Sequence, residues 1–361
     1  MRNTIGNNLT LTIFGESHGE AIGAVLDGVT PGIKVDYDFI DKQLAKRRPN
    51  GKTDTARIEK DDYKIISGVF NGYTTGSPIC MIIPNVDVKS KDYEELRGIA
   101  RPSHADYVAS VKYDGFEDYR GGGHFSGRIT ASIVGLGAIL LKALEEKGIK
   151  IKTHILQVGD VKDSDFKDIE KEIKIIDNKN IPVIDDIEGR IEEEILKVKS
   201  EKDSIGGIIQ TAILNLPIGL GEPWFSSFEG EIARAAFAIG GIKGIEFGKG
   251  FGFASLKGSS ANDEFVMNNG KIETKTNNNG GINGGITNGM PVIFNACVKP
   301  TPSIGKVQNT VNFKTNENTT LEIKGRHDPA FIRRICVVMD SLVAIVVCDM
   351  LSIRYGQNFL K

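Results

Sequence analysis

The chain has 361 residues, of which 40% are hydrophobic and 25% are charged, and its formal net charge is −2. This composition is typical of a folded protein with an apolar core, and it excludes a chain that is mainly disordered. A nucleic-acid-binding protein usually carries an excess of Lys and Arg, because these side chains displace counterions from the phosphates. The balanced charge argues against that class, so recognition of a phosphate would have to come from a local cluster of cations.

The N-terminus and the cysteines favour a cytoplasmic protein. No stretch approaches the roughly 18 consecutive apolar residues of a membrane span, and residues 1–6 lack the apolar core of a secretory signal. The four cysteines are far apart, which argues against a zinc site or a disulfide framework and indicates small buried hydrophobic side chains in a reducing compartment. We therefore expect a cytoplasmic location, with neither a membrane nor a nucleic acid as partner.

The first quarter of the chain is predicted to form mainly strands. Leu9–Phe14 alternates apolar and polar residues, which is the two-residue period of a strand. Asp36–Arg47 has the apolar spacing of a helix. Tyr63–Phe70 and Ile79–Ile83 again have the character of strands, and the second is bounded by prolines on both sides.

Two long apolar segments are predicted to be helices. Arg128–Lys147 is apolar on most of its faces, which indicates a central and buried helix, and Gly148 follows it as a C-terminal cap. Pro329–Tyr355 is also apolar and has proline in its first turn, where the missing N–H is tolerated.

The middle of the chain changes in character. Residues 160–202 are rich in Lys, Glu and Asp, which predicts a charged surface segment with a helix near Ile187–Val198 and no assigned function. Gly206–Leu216 and Pro291–Val298 are predicted strands. Between them, the loop Asn277–Gly285 is so rich in Asn and Gly that we expect neither a regular helix nor a regular strand there.

The order of these elements predicts an α+β fold. Strands and helices do not alternate regularly, as they would in a doubly wound parallel sheet. The motifs G-x-G-x-x-G and G-x-x-x-x-G-K-[ST], which bind dinucleotides and nucleoside triphosphates, are absent. Because no clear linker or repeat is visible, we expect a single domain over residues 1–361.

The histidines indicate where the chemistry lies. Three segments place a histidine close to an arginine: Arg101 with His104, His124 with Arg128, and Arg326 with His327. Arginine recognises phosphate and carboxylate through paired hydrogen bonds, and histidine exchanges protons near neutral pH. These residues therefore favour a protein that acts on a small molecule with several negative charges.

Glycines and cations extend this pattern. His18 lies in a glycine-bounded turn after the first predicted strand, and a glycine run before His124 opens the long helix at Arg128. Free N–H groups at such a helix start favour an anion. A basic cluster, Lys46-Arg47-Arg48-Pro49 followed by Lys52, ends the helix that begins at Asp36.

Each of these features also has a purely structural interpretation. A histidine near a turn is most often a structural hydrogen-bonding residue, and we assign His154 to that class. The spacing of the histidines matches no H-x-x-H or H-E-x-x-H metal motif, so we expect no metal site. The residues alone leave open an enzyme or a binding protein. A histidine lies close to an arginine in the sequence of three separate loops or helix starts, and this recurrence favours a functional role for these residues.

Six motifs, in order along the chain, resemble those of the chorismate synthase family. They are Gly15-Glu16-Ser17-His18-Gly19, Arg47-Arg48-Pro49, Arg101-Pro102-Ser103-His104-Ala105-Asp106-Tyr107, Tyr119-Arg120-Gly121-Gly122-Gly123, Lys299-Pro300-Thr301-Pro302-Ser303 and Gly325-Arg326-His327-Asp328-Pro329. One such motif would be a weak indication, but six in register over nearly the whole chain are specific.

The resemblance implies a fold, a reaction and partners. The family fold is a β-α-β sandwich with a helical layer between antiparallel sheets, assembled as a homotetramer. The implied activity is that of an FMN-dependent lyase that catalyses the last step of the shikimate pathway, which serves aromatic amino acid biosynthesis. In it, 5-enolpyruvylshikimate 3-phosphate loses phosphate and a ring proton by 1,4-anti elimination to give chorismate. Reduced FMN is required without net oxidation. The sequence leaves open whether the protein reduces FMN itself with NADPH or depends on a separate flavin reductase.

The resemblance also implies roles for particular residues. His18 would donate a proton to the departing phosphate, His104 would stabilise or protonate the reduced flavin, and Asp328 would work with the flavin in removing the ring proton. The cations expected to bind the substrate, and NADP where it is used, are Arg47, Arg48, Lys52, Arg101 and Arg128, and Arg326 is expected near both substrate and flavin.

By motif position, two groups of residues are expected to contact FMN. The first group is His124, Phe125, Ser126, Gly240, Gly241 and Gly284, and the second is Lys299, Pro300, Thr301, Pro302, Ser303 and Arg326. This chain departs from many relatives at His124-Phe125, where Arg-Ser is frequent, and at Gly240-Gly241, where Asn-Ala is common. It also has Lys52 in place of an arginine and Ser103 in place of a glycine.

Two other classes of function remain as alternatives. A flavin-independent phosphatase or phosphotransferase could use the same arginines and histidines. A non-catalytic nucleotide-binding or nucleic-acid-binding module is the other, and the neutral charge balance argues against it.

Overall fold

Two antiparallel sheets enclose a layer of helices in a computed structural model, which describes residues 2–54, 60–86, 97–323 and 328–361. The strands of the described residues are β1 (Thr4–Ile5), β2 (Thr10–Gly15), β3 (Ala21–Asp27), β4 (Lys64–Ser67), β5 (Val69–Phe70), β6 (Tyr73–Thr74), β7 (Ile79–Pro84), β8 (Lys150–Val158), β9 (Val161–Lys162), β10 (Gly207–Leu214), β11 (Ile242–Phe247), β12 (Phe265–Asn268), β13 (Lys271–Thr274), β14 (Ile282–Asn283), β15 (Ile286–Thr287), β16 (Val292–Val298), β17 (Gln308–Asn312) and β18 (Glu317–Leu321). The α-helices are α1 (Tyr37–Arg47), α2 (Asp106–Lys112), α3 (Thr130–Glu146), α4 (Ile169–Asp177), α5 (Glu188–Ser200), α6 (Phe228–Ala236), α7 (Gly258–Ala261) and α8 (Ile332–Tyr355). Short 3₁₀ turns cover Arg120–Phe125, Gly127–Ile129 and Gly250–Ser255.

Each sheet has five strands. The first has the order β1-β2-β3-β7-β4 and the second the order β11-β16-β10-β8-β9, and every pairing in them is antiparallel. The predicted strand over Tyr63–Phe70 is divided, because Gly68 has a left-handed φ of 83°. Its first part, β4, pairs with β7 in the sheet, whereas β5 turns away to pair with β6.

The two long helices form the layer between the sheets. α3 packs on β3 and β7 of the first sheet, and α8 packs on β8 and β10 of the second. Residues 334–352 of α8 are all buried. By length and composition, residues 127–146 and 332–355 could cross a membrane, but their apolar windows are 83% and 100% buried inside the fold. They are therefore the core helices of the sandwich.

The sequence predictions of the long elements are confirmed. α3 is central, and Gly148 follows it with a φ of 81°, as a C-terminal cap requires. The predicted α+β architecture with antiparallel sheets is also observed. Residues 160–202 form β9, α4 and α5. Most charged side chains of the two helices face outward, whereas Glu172 is buried and Ile169 and Ile176 pack with Leu214 of β10.

Two smaller predictions are wrong. The loop Asn277–Gly285 contains β14, a two-residue strand that pairs with β15, because the glycines at 284 and 285 form a tight turn between them. The cysteines are not all buried: Cys336 and Cys348 lie inside α8, but Cys297 is exposed. Alternation along β16 directs its side chain away from the core.

Glycines on α3 set the distance between the layers. A Cβ at Gly137 would lie 2.5 Å from Cβ of Ser341 in α8, and a Cβ at Gly135 would lie 2.4 Å from Sδ of Met81 in β7. Atoms that are not bonded to each other do not approach so closely. These two positions therefore accept only glycine unless the helix or its neighbours move.

Replacing Gly137 by valine is therefore expected to separate α3 from α8. We expect Gly137→Val to lower the free energy of unfolding by about 2 kcal/mol, since an overpacked core has to shift its backbone. Gly189→Val is the matched control, because a Cβ at Gly189 would meet no atom within 4 Å. Urea unfolding followed by circular dichroism measures both variants, and equal stability of the two would contradict this account of the packing.

Candidate active site

Three consecutive glycines separate the two histidines of the predicted site. Gly121, Gly122 and Gly123 have φ values of 59°, 85° and 52°, in the left-handed region that only glycine adopts without strain. A Cβ at Gly121 would lie 2.1 Å from Cε1 of His18, and a Cβ at Gly122 would lie 3.4 Å from Cε1 of His104. The structure therefore brings the two imidazoles, 86 positions apart in the sequence, to one bare stretch of backbone.

His18 is held in the turn that follows β2. It is only 8% exposed, and its Nδ1 lies 3.2 Å from the hydroxyl of Ser17. The backbone N–H of Ser17 donates to the carbonyl of Gly123 at 3.1 Å. This bond joins the turn after β2 to the glycine turn, so the position of His18 depends on both.

His104 is held by an ion pair within its own motif. Arg101 donates from Nε and Nη2 to the two carboxylate oxygens of Asp106 at 2.8 and 2.7 Å, and Nδ1 of His104 lies 3.1 Å from Oδ1 of Asp106. Burial opposes ionisation of Asp106, but the hydrogen bonds from Arg101 and His104 outweigh it and hold the pKa of this carboxyl well below its usual range. The carboxylate therefore stays ionised and fixes the side chains of its two neighbours.

Lys299 connects this motif to residues predicted to contact the cofactor. Its Nζ donates to the carbonyl of Ser103 at 2.8 Å, and its backbone N–H donates to the carbonyl of Gly241 at 2.9 Å. Ser103 has a φ of 58°, a left-handed conformation that glycine would adopt with less strain. Burial, and then the positive charge of Lys243, lower the pKa of Lys299. A second cation beside a partly buried lysine favours an anion at this point.

A cleft of about 160 Å³ opens beside His104. Its polar lining includes Arg101 and His104 together with acidic side chains at 106, 117 and 118, and aromatic side chains at 119, 125 and 313 supply apolar surface. The β17–β18 hairpin closes one side of the cleft, since backbone hydrogen bonds tie residues 98 and 100 to residues 313 and 311. A flat aromatic molecule with polar edges suits such a cleft.

The other predicted cofactor residues fall into separate places. His124 has its Nδ1 2.8 Å from the carbonyl of Gly15, and the Ser126 hydroxyl accepts from the N–H of Arg128, so both help to position the glycine turn. Gly240 and Gly284 present open backbone, with no atom within 4 Å of an added Cβ. They lie toward opposite ends of α6, whose nine residues span about 13 Å.

The segment after Lys299 runs beside the first residues of β10. The carbonyl of Thr301 accepts a hydrogen bond from the Ser204 hydroxyl at 2.7 Å, and Pro300 packs on Gly206. Pro302 and Ser303 are half-buried. The segment 299–303 is thus anchored at its start, near the His104 motif.

Three predicted arginines meet at one buried aspartate. Asp61, whose side chain is fully buried, forms ion pairs with Arg47 at 3.3 Å, with Arg48 at 3.5 Å and with Arg128. Arg47 itself is only 1% exposed and also donates to Thr130 at 3.1 Å. The structure therefore places Arg47 inside the protein, whereas Arg48 and Arg128 remain partly accessible at 32% and 9%.

Lys52, Asp328 and Arg326 complete the predicted set. Lys52 is exposed, and its carbonyl accepts from Lys199 at 2.6 Å. Asp328 pairs with Arg334 of α8, whose guanidinium lies 4.2 Å from the ring of Phe331. Arg326 lies outside the described residues, as does His327, so the structure places neither.

Known proteins with this sequence pattern and fold identify the family. The family model described as chorismate synthase matches residues 9–352. A protein named chorismate synthase from Dehalococcoides mccartyi is 45% identical over 359 residues, covering 99% of this chain and 98% of the relative. One of the same name from Thermococcus kodakarensis is 44% identical over 349 residues, covering 97% of each chain. The chain belongs to the chorismate synthase family.

The fold agrees with this membership. A solved structure described as the crystal structure of chorismate synthase superimposes with a TM-score of 0.76 at 29% identity, covering 98% of this chain and 94% of that one. The first five motifs from which the sequence suggested the family, and Asp328 and Pro329 of the sixth, therefore lie in the matching fold.

Several residues of the site were not found from the sequence. Asp61 and Lys243 act through contacts with Arg128 and Lys299, which are far away in the chain, so no local pattern reveals them. Arg334 pairs with the nearby Asp328, but the sequence pattern indicated only that it belongs to the apolar helix. Asp106 lies inside a motif that the sequence singled out, and its charge next to Arg101 was the available signal. In the described parts of the chain, no three His, Cys, Asp or Glu side chains converge as metal ligands.

Removing the charge of Asp106 is expected to release His104 and Arg101 together. We expect Asp106→Asn to lower kcat at least tenfold and to lower the free energy of unfolding at pH 7. Because the folded pKa of Asp106 is depressed, its stabilising contribution is present above the unfolded value of about 3.9 and is lost as the pH falls through the folded value.

Urea unfolding between pH 3 and pH 7 measures this contribution, and the gap between wild type and variant should narrow at the acid end. Asp177→Asn is the matched control, since it removes another ion-paired aspartate that lies outside the cleft. Normal turnover of the Asp106 variant would contradict the positioning of His104 by this carboxylate.

Proposed function

We propose that the protein converts 5-enolpyruvylshikimate 3-phosphate to chorismate by 1,4-anti elimination of phosphate and requires reduced FMN without net oxidation. This is the last step of the shikimate pathway and serves aromatic amino acid biosynthesis. The observation that carries the proposal is the placement of His18 next to Gly121 and of His104 next to Gly122. Membership of the chorismate synthase family supports the same reaction.

The cations near the glycine turn suit the substrate. It carries two carboxylates and a phosphate. Arg128 lies in the 3₁₀ turn between the glycine turn and α3, and Arg48 caps the C-terminal end of α1. Both guanidiniums are fixed against Asp61 and are partly accessible. Arginines held in this way recognise planar and tetrahedral anions without first having to be ordered. Lys52 and Arg101 would extend the same positive surface.

The proton steps require a donor and an acceptor. His18 would donate a proton to the phosphate oxygen as the C–O bond breaks, and its contact with Ser17 fixes the ring for that transfer. Asp328 would accept the proton that leaves the substrate ring. Its ion pair with Arg334 orients the carboxylate at the start of α8. The substrate then becomes chorismate and hydrogen phosphate, and the proton taken up by Asp328 balances the one that His18 has donated.

The cleft beside His104 is the proposed position of the flavin ring of FMN. Aromatic side chains at 119, 125 and 313 suit the faces of the flavin ring, and the paired cations Lys243 and Lys299 suit its phosphate. The bare backbone at Gly240 and Gly241 allows close approach of the cofactor. When bound, reduced FMN would lend an electron to the substrate, which makes loss of phosphate easier, and would take that electron back afterwards. His104 would hold or protonate its reduced form.

Exposed apolar side chains favour assembly of several copies. Phe265, Met267 and Ile272 of the β12–β13 hairpin are more than 60% exposed, and Trp224 and Phe225 are exposed even further. Patches of this kind mark protein interfaces. We propose a cytoplasmic homotetramer. Its reduced flavin would come from a separate reductase, or from NADPH bound by the protein itself.

The proposed activity predicts phosphate release that depends on flavin. Under anaerobic conditions, we expect chorismate and phosphate to form in equal amounts with reduced FMN, and neither to form when it is omitted. The absorbance of chorismate and a phosphate assay measure the two products. Phosphate release without flavin would instead indicate a phosphatase or phosphotransferase.

His104→Ala and Asp328→Ala are expected to lower kcat at least a hundredfold with less than a threefold change in substrate affinity. Each residue would act on the reacting groups and not on the anionic groups that bind the substrate. Steady-state kinetics and equilibrium binding separate the two quantities. Weaker binding with normal turnover would show that the assigned roles are wrong.

A further inference from the structure

Asp61 is the point at which three predicted substrate arginines meet. Its Oδ2 lies 3.3 Å from Nη1 of Arg47 and 3.5 Å from Nε of Arg48, and its Oδ1 accepts from Nη1 of Arg128. Its own side chain is fully buried. Its backbone has a left-handed φ of 53°, a conformation that aspartate adopts more readily than most residues.

The three arginines come from different elements. Arg47 is the last residue of α1, Arg48 caps that helix, and Arg128 lies in the 3₁₀ turn between the glycine run and α3. Positive side chains gathered around one point repel each other unless a carboxylate lies between them. Asp61 therefore ties the end of α1 to the start of α3.

Arg47 and Arg128 are used differently around this carboxylate. Arg47 is buried and donates to Thr130 and to the carbonyls of Gly127 and Arg128, so its guanidinium supports the turn from within. Arg128 is held on each of its three nitrogen atoms, by Asp61, by the Asn85 side chain and by the carbonyl of Pro84.

Asn85 joins Arg128 to the turn that carries His18. Its Oδ1 accepts from Nε of Arg128 at 3.3 Å, and its Nδ2 donates to the carbonyls of Glu16 and Gly19 at 3.0 and 2.9 Å. These two carbonyls flank His18 in the sequence. A shift of Arg128 is thus transmitted to the segment that carries the proton donor.

We propose that Asp61 is a positioning residue that presents Arg48 and Arg128 as a receptor for an anionic group of the substrate, with Arg47 as its buried counter-ion. Asn85 is the second support of the same arginine. The inference rests on the proposed function, and it changes the expected role of Arg47 from a substrate contact to part of the frame. The anion received is a phosphate or a carboxylate, since arginine binds both in the same geometry.

Asp61→Asn distinguishes an effect of net charge on anion binding from an effect of arginine positioning, because the two change the affinity in opposite directions. Removing a negative charge beside two arginines would strengthen anion binding if charge alone mattered. If Asp61 positions the arginines, binding weakens. We expect KM for 5-enolpyruvylshikimate 3-phosphate to rise at least tenfold with less than a threefold change in kcat.

Direct binding to the intact protein distinguishes the two anions. Isothermal titration calorimetry with inorganic phosphate, shikimate and shikimate 3-phosphate gives the affinity for each. If Asp61→Asn weakens the binding of inorganic phosphate and shikimate 3-phosphate only, the receptor is assigned to phosphate. If the variant also weakens the binding of shikimate, the receptor is assigned to the carboxylate. Equal or tighter binding of all three by Asp61→Asn would overturn the proposal.

If Asp61→Asn does not fold, Asn85→Ala provides a second test of the proposal. It releases Nε of Arg128 without uncovering a buried charge, and Asn85 is only half-buried. We expect a three- to tenfold rise in KM and a parallel loss of phosphate affinity. Ser77→Ala, on an exposed turn before β7, is the control and should leave both values unchanged. Unchanged KM and phosphate affinity in Asn85→Ala would also overturn the proposal.

Failure of the proposed function has a different signature. If wild-type protein binds these anions but forms no chorismate with reduced FMN, the reaction is wrong while the binding series still tests Asp61. If wild type forms chorismate and the Asp61 and Asn85 variants keep their affinities, the reaction stands and the positioning role is wrong.

Discussion

The site depends on a stretch of backbone that has no side chains. Gly121 and Gly122 lie so close to His18 and His104 that a Cβ at the first would overlap one imidazole and a Cβ at the second would touch the other. Their left-handed φ values also direct the chain into the turn that starts α3. The same backbone constraint therefore positions two candidate proton-transfer groups and the helix at the centre of the sandwich.

Ion pairs fix the orientation of the arginines and of His104 near the glycine turn. Asp106 holds Arg101 and His104 on one side, and Asp61 holds Arg48 and Arg128 on the other. Each carboxylate is largely buried, so its partners are oriented before any ligand arrives. A receptor for a substrate with several negative charges needs this order, because flexible arginines would lose entropy on binding.

Much of this arrangement could be predicted from the sequence. The apolar patterns of α3 and α8 were sufficient for the two central helices, whereas the sandwich fold, the family and the roles of the histidines followed from the resemblance of six motifs. β3 was missed because residues 21–26 form an apolar run without alternation. α6 was missed although Ser227 caps it and two glutamates stand in its first turn, which is a recognisable helix start.

The remaining features depend on contacts between distant residues. Arg47 is in the basic cluster by sequence, but its burial against Asp61 and Thr130 follows from how α1 packs beside α3. Ser103 has a left-handed φ, and its carbonyl accepts a hydrogen bond from Nζ of Lys299. The two residues are almost 200 positions apart in the chain. Composition and spacing carry no information on such pairs, since they say which residues are present but not which of them meet.

The central claim is that the two imidazoles on the glycine turn face the substrate and the reduced cofactor. A crystal structure of the protein with both molecules bound tests it most directly. The account predicts the phosphate of the substrate within hydrogen-bond distance of His18 and the flavin ring against His104. Ligands bound away from the glycine turn, with both imidazoles in contact only with protein, would contradict it.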